Sequence, residues 1–246
     1  MDSWFDRGRV PATRYELHWG GRIVRCFVER PRSVRQMLEK AVARRAHGAA
    51  IICGDEKVTY AEFDALDGAA AGGLKALGVE KGDRVAILLG NSIEFVVMLF
   101  AVARLGALSV PLNIRHQLAE NRHILEDCAA KVVVHEHDLS HRIAAPSAQR
   151  SLQHAVAVRR HGCPPLTELL HALPVSTAEA VQEEETATIL YTSGTTGKPK
   201  GAMVTHLNIA HSVLHHASVM ELTEEDRGLL AVPMSHVTGW SRWSTP

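Results

Sequence analysis

The chain of 246 residues is long enough for one large domain or two small ones, and its 46% apolar and 22% charged residues are typical of a globular fold. Its 27 basic and 27 acidic residues balance, which excludes an overall field that would favour nucleic acid or an anionic membrane. The cysteines form no Cys-x-x-Cys pair, the N-terminus lacks the apolar core of a signal peptide, and the most apolar run, residues 93–105, is too short to cross a bilayer. We therefore expect a cytoplasmic protein without a transmembrane segment.

Two helices separated by a hairpin are predicted first. Ser33 begins a capping-box pattern ahead of apolar residues at helical spacing. Residues 49–60 predict a β-hairpin that turns at Gly54. Thr59 then begins a second capping box, and the helix that follows ends at Gly78, the usual left-handed C-terminal position.

Strands and helices alternate in the next stretch, which predicts an α/β sheet with helices on its faces. The strands are residues 84–89, 107–110 and 131–134, and the helices are residues 91–105 and 118–128. The unbroken apolar run in the first strand is typical of a parallel strand covered on both faces. We predict that Asn91 provides the start of the first of these helices.

Residues 135–185 give a weak pattern with several prolines, which predicts a variable surface excursion containing one short helix at 166–173. The acidic run Glu183, Glu184 and Glu185 is most simply a solvated turn before the next strand.

A strand at 186–191 leads into a polar, glycine-rich loop. Its residues are Thr192, Ser193, Gly194, Thr195, Thr196, Gly197, Lys198, Pro199, Lys200 and Gly201. Glycines let backbone N–H groups face an anion, while the hydroxyls and lysines add donors and positive charge, so the loop predicts a polyphosphate site. It is not a Walker A loop, because its glycines are too close together and Pro199 replaces the expected Ser or Thr.

Residues 191–201 resemble the phosphate-binding signature of adenylate-forming enzymes, which include acyl-CoA synthetases, amino-acid adenylation domains and luciferases. Residues 202–208 and 231–239 are similar to the segments that follow the signature in this family. The resemblance covers roughly residues 30–240 and implies the N-terminal part of the family's large α/β domain, with layered sheets and covering helices. We accordingly divide the chain into an N-terminal extension, 1–30, and a partial AMP-binding domain, 31–246.

The resemblance also implies a reaction and its site. In this family a carboxylate attacks Mg-ATP to give an acyl adenylate and pyrophosphate, and a thiol, commonly that of CoA, then displaces AMP. The implied ATP contacts are Thr192, Ser193, Gly194, Thr195, Thr196, Gly197, Lys198 and Lys200, and Thr195 and Lys200 carry the catalytic role. Lys198 is expected to be the more exposed lysine, and His236 is expected beside the acyl pocket. The implied small molecules are a carboxylic acid, ATP, Mg²⁺ and CoA.

The sequence carries only part of the family's motifs. The family's later motifs for Mg²⁺ and ribose and its C-terminal lysine-bearing domain have no counterpart, so we expect a truncated frame with negligible ATP–pyrophosphate exchange. Two alternative functions remain open, an adenylation domain that loads a carrier protein and a non-catalytic phosphate-binding fragment. The acyl substrate and the oligomeric state are also open.

Neither a metal site nor a nucleophile is expected among the histidines and cysteines. His211 and His215 share a helical face without a third ligand, and Cys163 lacks an activating partner.

Overall fold

A computed structural model describes residues 11–158, 166–192 and 198–236. The strands are β1 Thr13–His18, β2 Arg22–Phe27, β3 Ala49–Cys53, β4 Glu56–Thr59, β5 Arg84–Leu88, β6 Leu108–Pro111, β7 Val132–Glu136, β8 His154–Val158, β9 Thr186–Thr192 and β10 Lys200–Thr205. The α-helices are α1 Val34–Arg45, α2 Tyr60–Ala76, α3 Ile93–Arg104, α4 Leu118–Asp127 and α5 His206–Val219. None of the helices in these described ranges is long and apolar enough to span a membrane.

A six-stranded sheet organises the fold in the order β10-β9-β6-β5-β7-β8. Its strands pair in parallel except β10, which runs antiparallel to β9. In β5, Val85 and Ile87 join the core under α1, α2 and α3, while Ala86 and Leu88 join a second core under α4. This two-sided burial confirms the predicted α/β sheet, because alternate side chains of a strand point to opposite faces.

The predicted helix starts are confirmed at Ser33 and Thr59, whose side chains accept the backbone N–H three residues on. The start predicted at Asn91 is wrong by one residue. Ser92 caps α3 by accepting the N–H of Phe95 at 3.2 Å. The amide of Asn91 is instead engaged with the distant segment 232–234, a contact that no local pattern can reveal.

The surface excursion predicted for residues 135–185 is wrong in part. β8 is a parallel edge strand on β7, and the helix predicted at 166–173 is a single 3₁₀ turn, Thr167–Leu169. Leu169 is buried, and its carbonyl oxygen would lie 2.2 Å from a Cβ placed on Gly73 of α2. The strand was missed because its short apolar run is specified by pairing with β7 rather than by its own periodicity.

The turn predicted at Glu183, Glu184 and Glu185 is present directly before β9. It is not simply solvated, because all three carboxylates bind basic groups from earlier in the chain. Glu183 accepts from Arg30 and Arg32, Glu184 accepts from His18, and Glu185 accepts from Lys81. The Arg30 side chain is fully buried and also binds Glu16, at 2.6 Å. The contact of His18 with Glu184, and Arg30, which links Glu16 to Glu183, fasten the β1–β2 hairpin to the segment before β9. The domain division at residue 30 stays a prediction.

Candidate functional site

The glycine-rich loop connects β9 to β10, at the carboxyl edge of the parallel strands. Ligands of open α/β sheets bind outside this edge. Of the predicted phosphate contacts, Thr192, Lys198 and Lys200 are described and exposed. Ser193, Gly194, Thr195, Thr196 and Gly197 lie outside the described residues.

The two ends of the loop are held together by strand pairing. Lys200 lies directly opposite Thr192 in the β9–β10 register. Opposed residues of an antiparallel pair project from the same face, with Cβ atoms about 5 Å apart. The ammonium group of Lys200 and the hydroxyl of Thr192 therefore project from one face at the base of the loop, a donor set that fits a polyphosphate.

Gly201 has a packing role beside the loop. It pairs with Tyr191, and a Cβ at this position would lie 2.8 Å from Cγ2 of Ile189 and 3.0 Å from Cζ of Tyr191. A side chain at residue 201 would force the side chains of Ile189 and Tyr191 to shift. The final glycine of the signature thus leaves room for side chains that pack over it.

Helix α4 braces both sides of the loop, a feature that the sequence analysis missed. The hydroxyl of Tyr191 donates to Oδ2 of Asp127 at 2.5 Å, and Nε2 of His123 donates to the carbonyl of Pro199 at 3.3 Å. Burial and the Asp127 carboxylate raise the pKa of Tyr191, so the phenol keeps the proton that it donates. His123 and Asp127 are four residues apart and share one helical face. That spacing was the available signal, but only the fold shows what the face contacts.

The predicted acyl-site residue, His236, follows a segment fixed to the carboxyl end of β5. Oδ1 of Asn91 accepts the N–H of Met234 at 2.8 Å, and its Nδ2 donates to the carbonyl of Val232 at 2.9 Å. His236 itself is exposed, and its N–H closes a turn to Pro233 at 3.1 Å. One strand, β6, separates β5 from β9, so these two strands lie about 10 Å apart. The segment 232–234 and the base of the loop therefore lie at the same edge of the sheet, separated by about this distance.

A cavity of about 420 Å³ opens beside this segment. Its walls come from α1, β3, the start of α2, the first part of α3 and residues 222–230. Asn91 and Met234 line it, so the hydrogen bonds of Asn91 also shape one wall.

The histidines of α5 have structural partners. His211 and His215 flank the ring of Phe27, with centroid distances of 5.0 and 4.8 Å. Nε2 of His211 accepts the N–H of Phe27 at 3.4 Å, and burial lowers the pKa of this histidine. The helical pair that suggested metal ligation thus contacts the β1–β2 hairpin.

Comparison with known proteins identifies the lineage. The family model described as AMP-binding enzyme matches residues 38–245. The chain belongs to this family. It is 34% identical over 217 residues to the 2-succinylbenzoate–CoA ligase of Bacillus licheniformis, covering 87% of this chain and 42% of that protein. It is 38% identical over 195 residues to a long-chain-fatty-acid–CoA ligase of Mycobacterium tuberculosis, covering 74% of this chain and 36% of that protein.

A solved relative shares the fold. The O-succinylbenzoate coenzyme A synthetase of Bacillus subtilis, in complex with AMP, has a TM-score of 0.72 and 32% identity. The match covers 83% of this chain and 51% of that one. The chain therefore has the architecture of the N-terminal part of adenylate-forming enzymes, and it spans less than half the length of the curated relatives it matches.

Proposed function

We propose that this chain is the phosphate-holding N-terminal part of an ATP-dependent acid–CoA ligase. A carboxylate oxygen of the acid attacks the α-phosphorus of ATP, the bond to the β-phosphate breaks, and pyrophosphate leaves. The sulfur of CoA then attacks the acyl carbon, AMP leaves, and the thiol proton passes to solvent. Mg²⁺ enters this proposal as the ion that accompanies ATP.

The observation that carries the proposal is the position of the loop at the carboxyl edge of the sheet, in a chain of the AMP-binding enzyme family. The proposed contacts to the β- and γ-phosphates are Thr192, Ser193, Gly194, Thr195, Thr196, Gly197, Lys198 and Lys200. Thr195 and Lys200 would stabilise the charge that develops on the departing pyrophosphate. His236 would border the acyl group.

The relatives support CoA as the acceptor, since those compared above are named as CoA ligases. They differ in the acid, because one is named for an aromatic dicarboxylate and the other for long-chain fatty acids. We therefore propose an organic or fatty acid as the substrate class, and a carrier-protein thiol is the alternative acceptor.

Pyrophosphate binding tests the role of the loop without requiring turnover. Lys200→Met removes the proposed ammonium contact. Lys57→Met removes a lysine that is also exposed but lies on β4, outside the six-stranded sheet. A hydrogen bond to a charged group contributes about 1.5–3 kcal/mol, so Lys200→Met should weaken binding by roughly tenfold to a hundredfold in isothermal titration calorimetry.

The control should bind pyrophosphate like the unmodified chain. If both variants bind equally well, or if both are weakened to the same extent, the loop does not hold the phosphates and the proposal fails.

A further inference from the structure

The inner face of the β1–β2 hairpin brings together three side chains that can bind a metal. Glu16 and His18 are two residues apart on β1 and therefore share a face. Cys26 lies on β2 opposite Arg14, which places it diagonally from Glu16 on that face. His18 and Cys26 are buried, and Glu16 is largely so, with 15% of its side chain exposed. The hairpin thus presents one oxygen, one nitrogen and one sulfur ligand to the protein interior.

Two of the three distances between these ligand atoms match the edges of a tetrahedral zinc site. Nε2 of His18 lies 3.5 Å from Sγ of Cys26 and 3.5 Å from Oε2 of Glu16. Zinc bond lengths of about 2.0–2.3 Å at tetrahedral angles require about 3.6 Å between nitrogen and sulfur and about 3.4 Å between nitrogen and oxygen. The three ligand atoms all lie within 4.8 Å of one another.

The ring nitrogen of His18 that faces away from Glu16 and Cys26 has a carboxylate partner, as metal-binding histidines commonly do. Its Nδ1 lies 2.7 Å from Oε1 of Glu184. A carboxylate at Nδ1 fixes the tautomer with the proton on that nitrogen, which leaves the lone pair of Nε2 directed toward Glu16 and Cys26. Such a second contact orients the ring and makes the ligating nitrogen more basic.

We propose that Glu16, His18 and Cys26 form a Zn²⁺ site, with Glu184 as the residue that positions His18 and water at the fourth coordination position. On binding, the Cys26 thiol loses its proton to solvent and the S–Zn bond forms. The mixed oxygen, nitrogen and sulfur ligands favour zinc over hard cations such as Mg²⁺. Nothing in the proposed ligase reaction requires this metal, so the site would act by fastening the hairpin.

The surrounding charges can accommodate the ion. Arg30 also binds Glu16, with Nη2 at 2.6 Å from Oε2, but a carboxylate oxygen has lone pairs for both a guanidinium and a metal. Four negative charges would surround Zn²⁺ and the buried Arg30, namely the carboxylates of Glu16, Glu183 and Glu184 and the thiolate of Cys26. The further arginines at the rim are more than two-fifths exposed, so water screens their charge.

Cobalt substitution tests the site. The purified chain, stripped of metal by a chelator, is titrated with Co²⁺ while the thiolate-to-cobalt charge-transfer absorption is followed. We expect the band to saturate at a single equivalent, to disappear when Zn²⁺ is added, and to be unaffected by Mg²⁺. A wild-type chain that develops no thiolate band would overturn the proposal.

Two variants and a matched control locate the metal. Cys26→Ser should abolish the band, whereas Cys53→Ser, which removes an exposed cysteine, should retain it. Glu184→Gln alters a residue on the rim and should weaken Co²⁺ binding by about 10–100-fold while leaving the far-ultraviolet circular dichroism unchanged. A band that survives in Cys26→Ser or is lost in Cys53→Ser places the metal elsewhere, and unchanged affinity in Glu184→Gln refutes the positioning role even if Cys26→Ser fails to fold.

Discussion

The buried His206 should make the stability of this protein sensitive to mild acid. His206 is the first residue of α5 and is 2% exposed. Its Nδ1 accepts the N–H of Val34, the first residue of α1, at 3.2 Å. Protonation of Nδ1 would make it a donor that faces the donating N–H of Val34. It would also place a positive charge beside the N-termini of α1 and α5, where cations are unfavourable. Burial is the main cause that lowers the pKa of His206 from 6.5 to about 4, and a weaker opposing effect comes from Glu185.

The sign and size follow from proton linkage. Between pH 6.5 and about 4, the unfolded chain binds a proton at this histidine and the folded chain does not, so the free energy of unfolding falls as the pH falls. The contribution is complete above pH 6.5 and is lost as the pH falls through this window. Each pH unit costs up to about 1.4 kcal/mol, which gives about 3 kcal/mol across the window.

The substitution His206→Asn isolates this contribution, since Oδ1 of asparagine can accept from Val34 but does not titrate. Urea unfolding from about pH 7.5 to about pH 4.5 should show a flatter profile for this variant than for the unmodified chain. His47→Asn, which changes an exposed histidine, should reproduce the unmodified profile. Parallel loss of stability in the unmodified chain and His206→Asn would show that His206 does not control the acid response.

Three further outcomes are expected. Gly73→Ala should destabilise the fold by about 1–3 kcal/mol in urea unfolding, because the added Cβ would lie 2.2 Å from the backbone oxygen of Leu169. Alanine normally favours a helix over glycine, so a gain in stability would contradict this packing. Glu183→Gln should cost about 3 kcal/mol, because the buried Arg30 loses one of its two carboxylates, and an unchanged urea midpoint would refute it. Asn91→Ala removes two hydrogen bonds to residues 232–234, worth about 1 kcal/mol each, and should accelerate amide hydrogen exchange there; unchanged exchange would show that Asn91 does not fix the segment.

The sequence alone determined the local elements and the lineage. The caps at Ser33 and Thr59 were predictable because their hydrogen bonds span three residues. The central strand was predictable because burial on both faces produces an unbroken apolar run, as in residues 85–89. The loop at 191–201 was identified because its signature is contiguous.

Only the tertiary structure decided which distant residues support these elements. Asp127 and His123 brace the loop from α4, and Glu183 and Glu184 hold the hairpin across more than 150 residues of sequence. Their partners are chosen by how helices and strands pack, which leaves no mark on the local spacing of residues. The register of β1 and β2 decides which side chains share the inner face of the hairpin. This register, too, was visible only in the structure, where the two strands are paired and covered. Local patterns encode backbone hydrogen bonds and burial, whereas contacts between charged side chains depend on the completed fold.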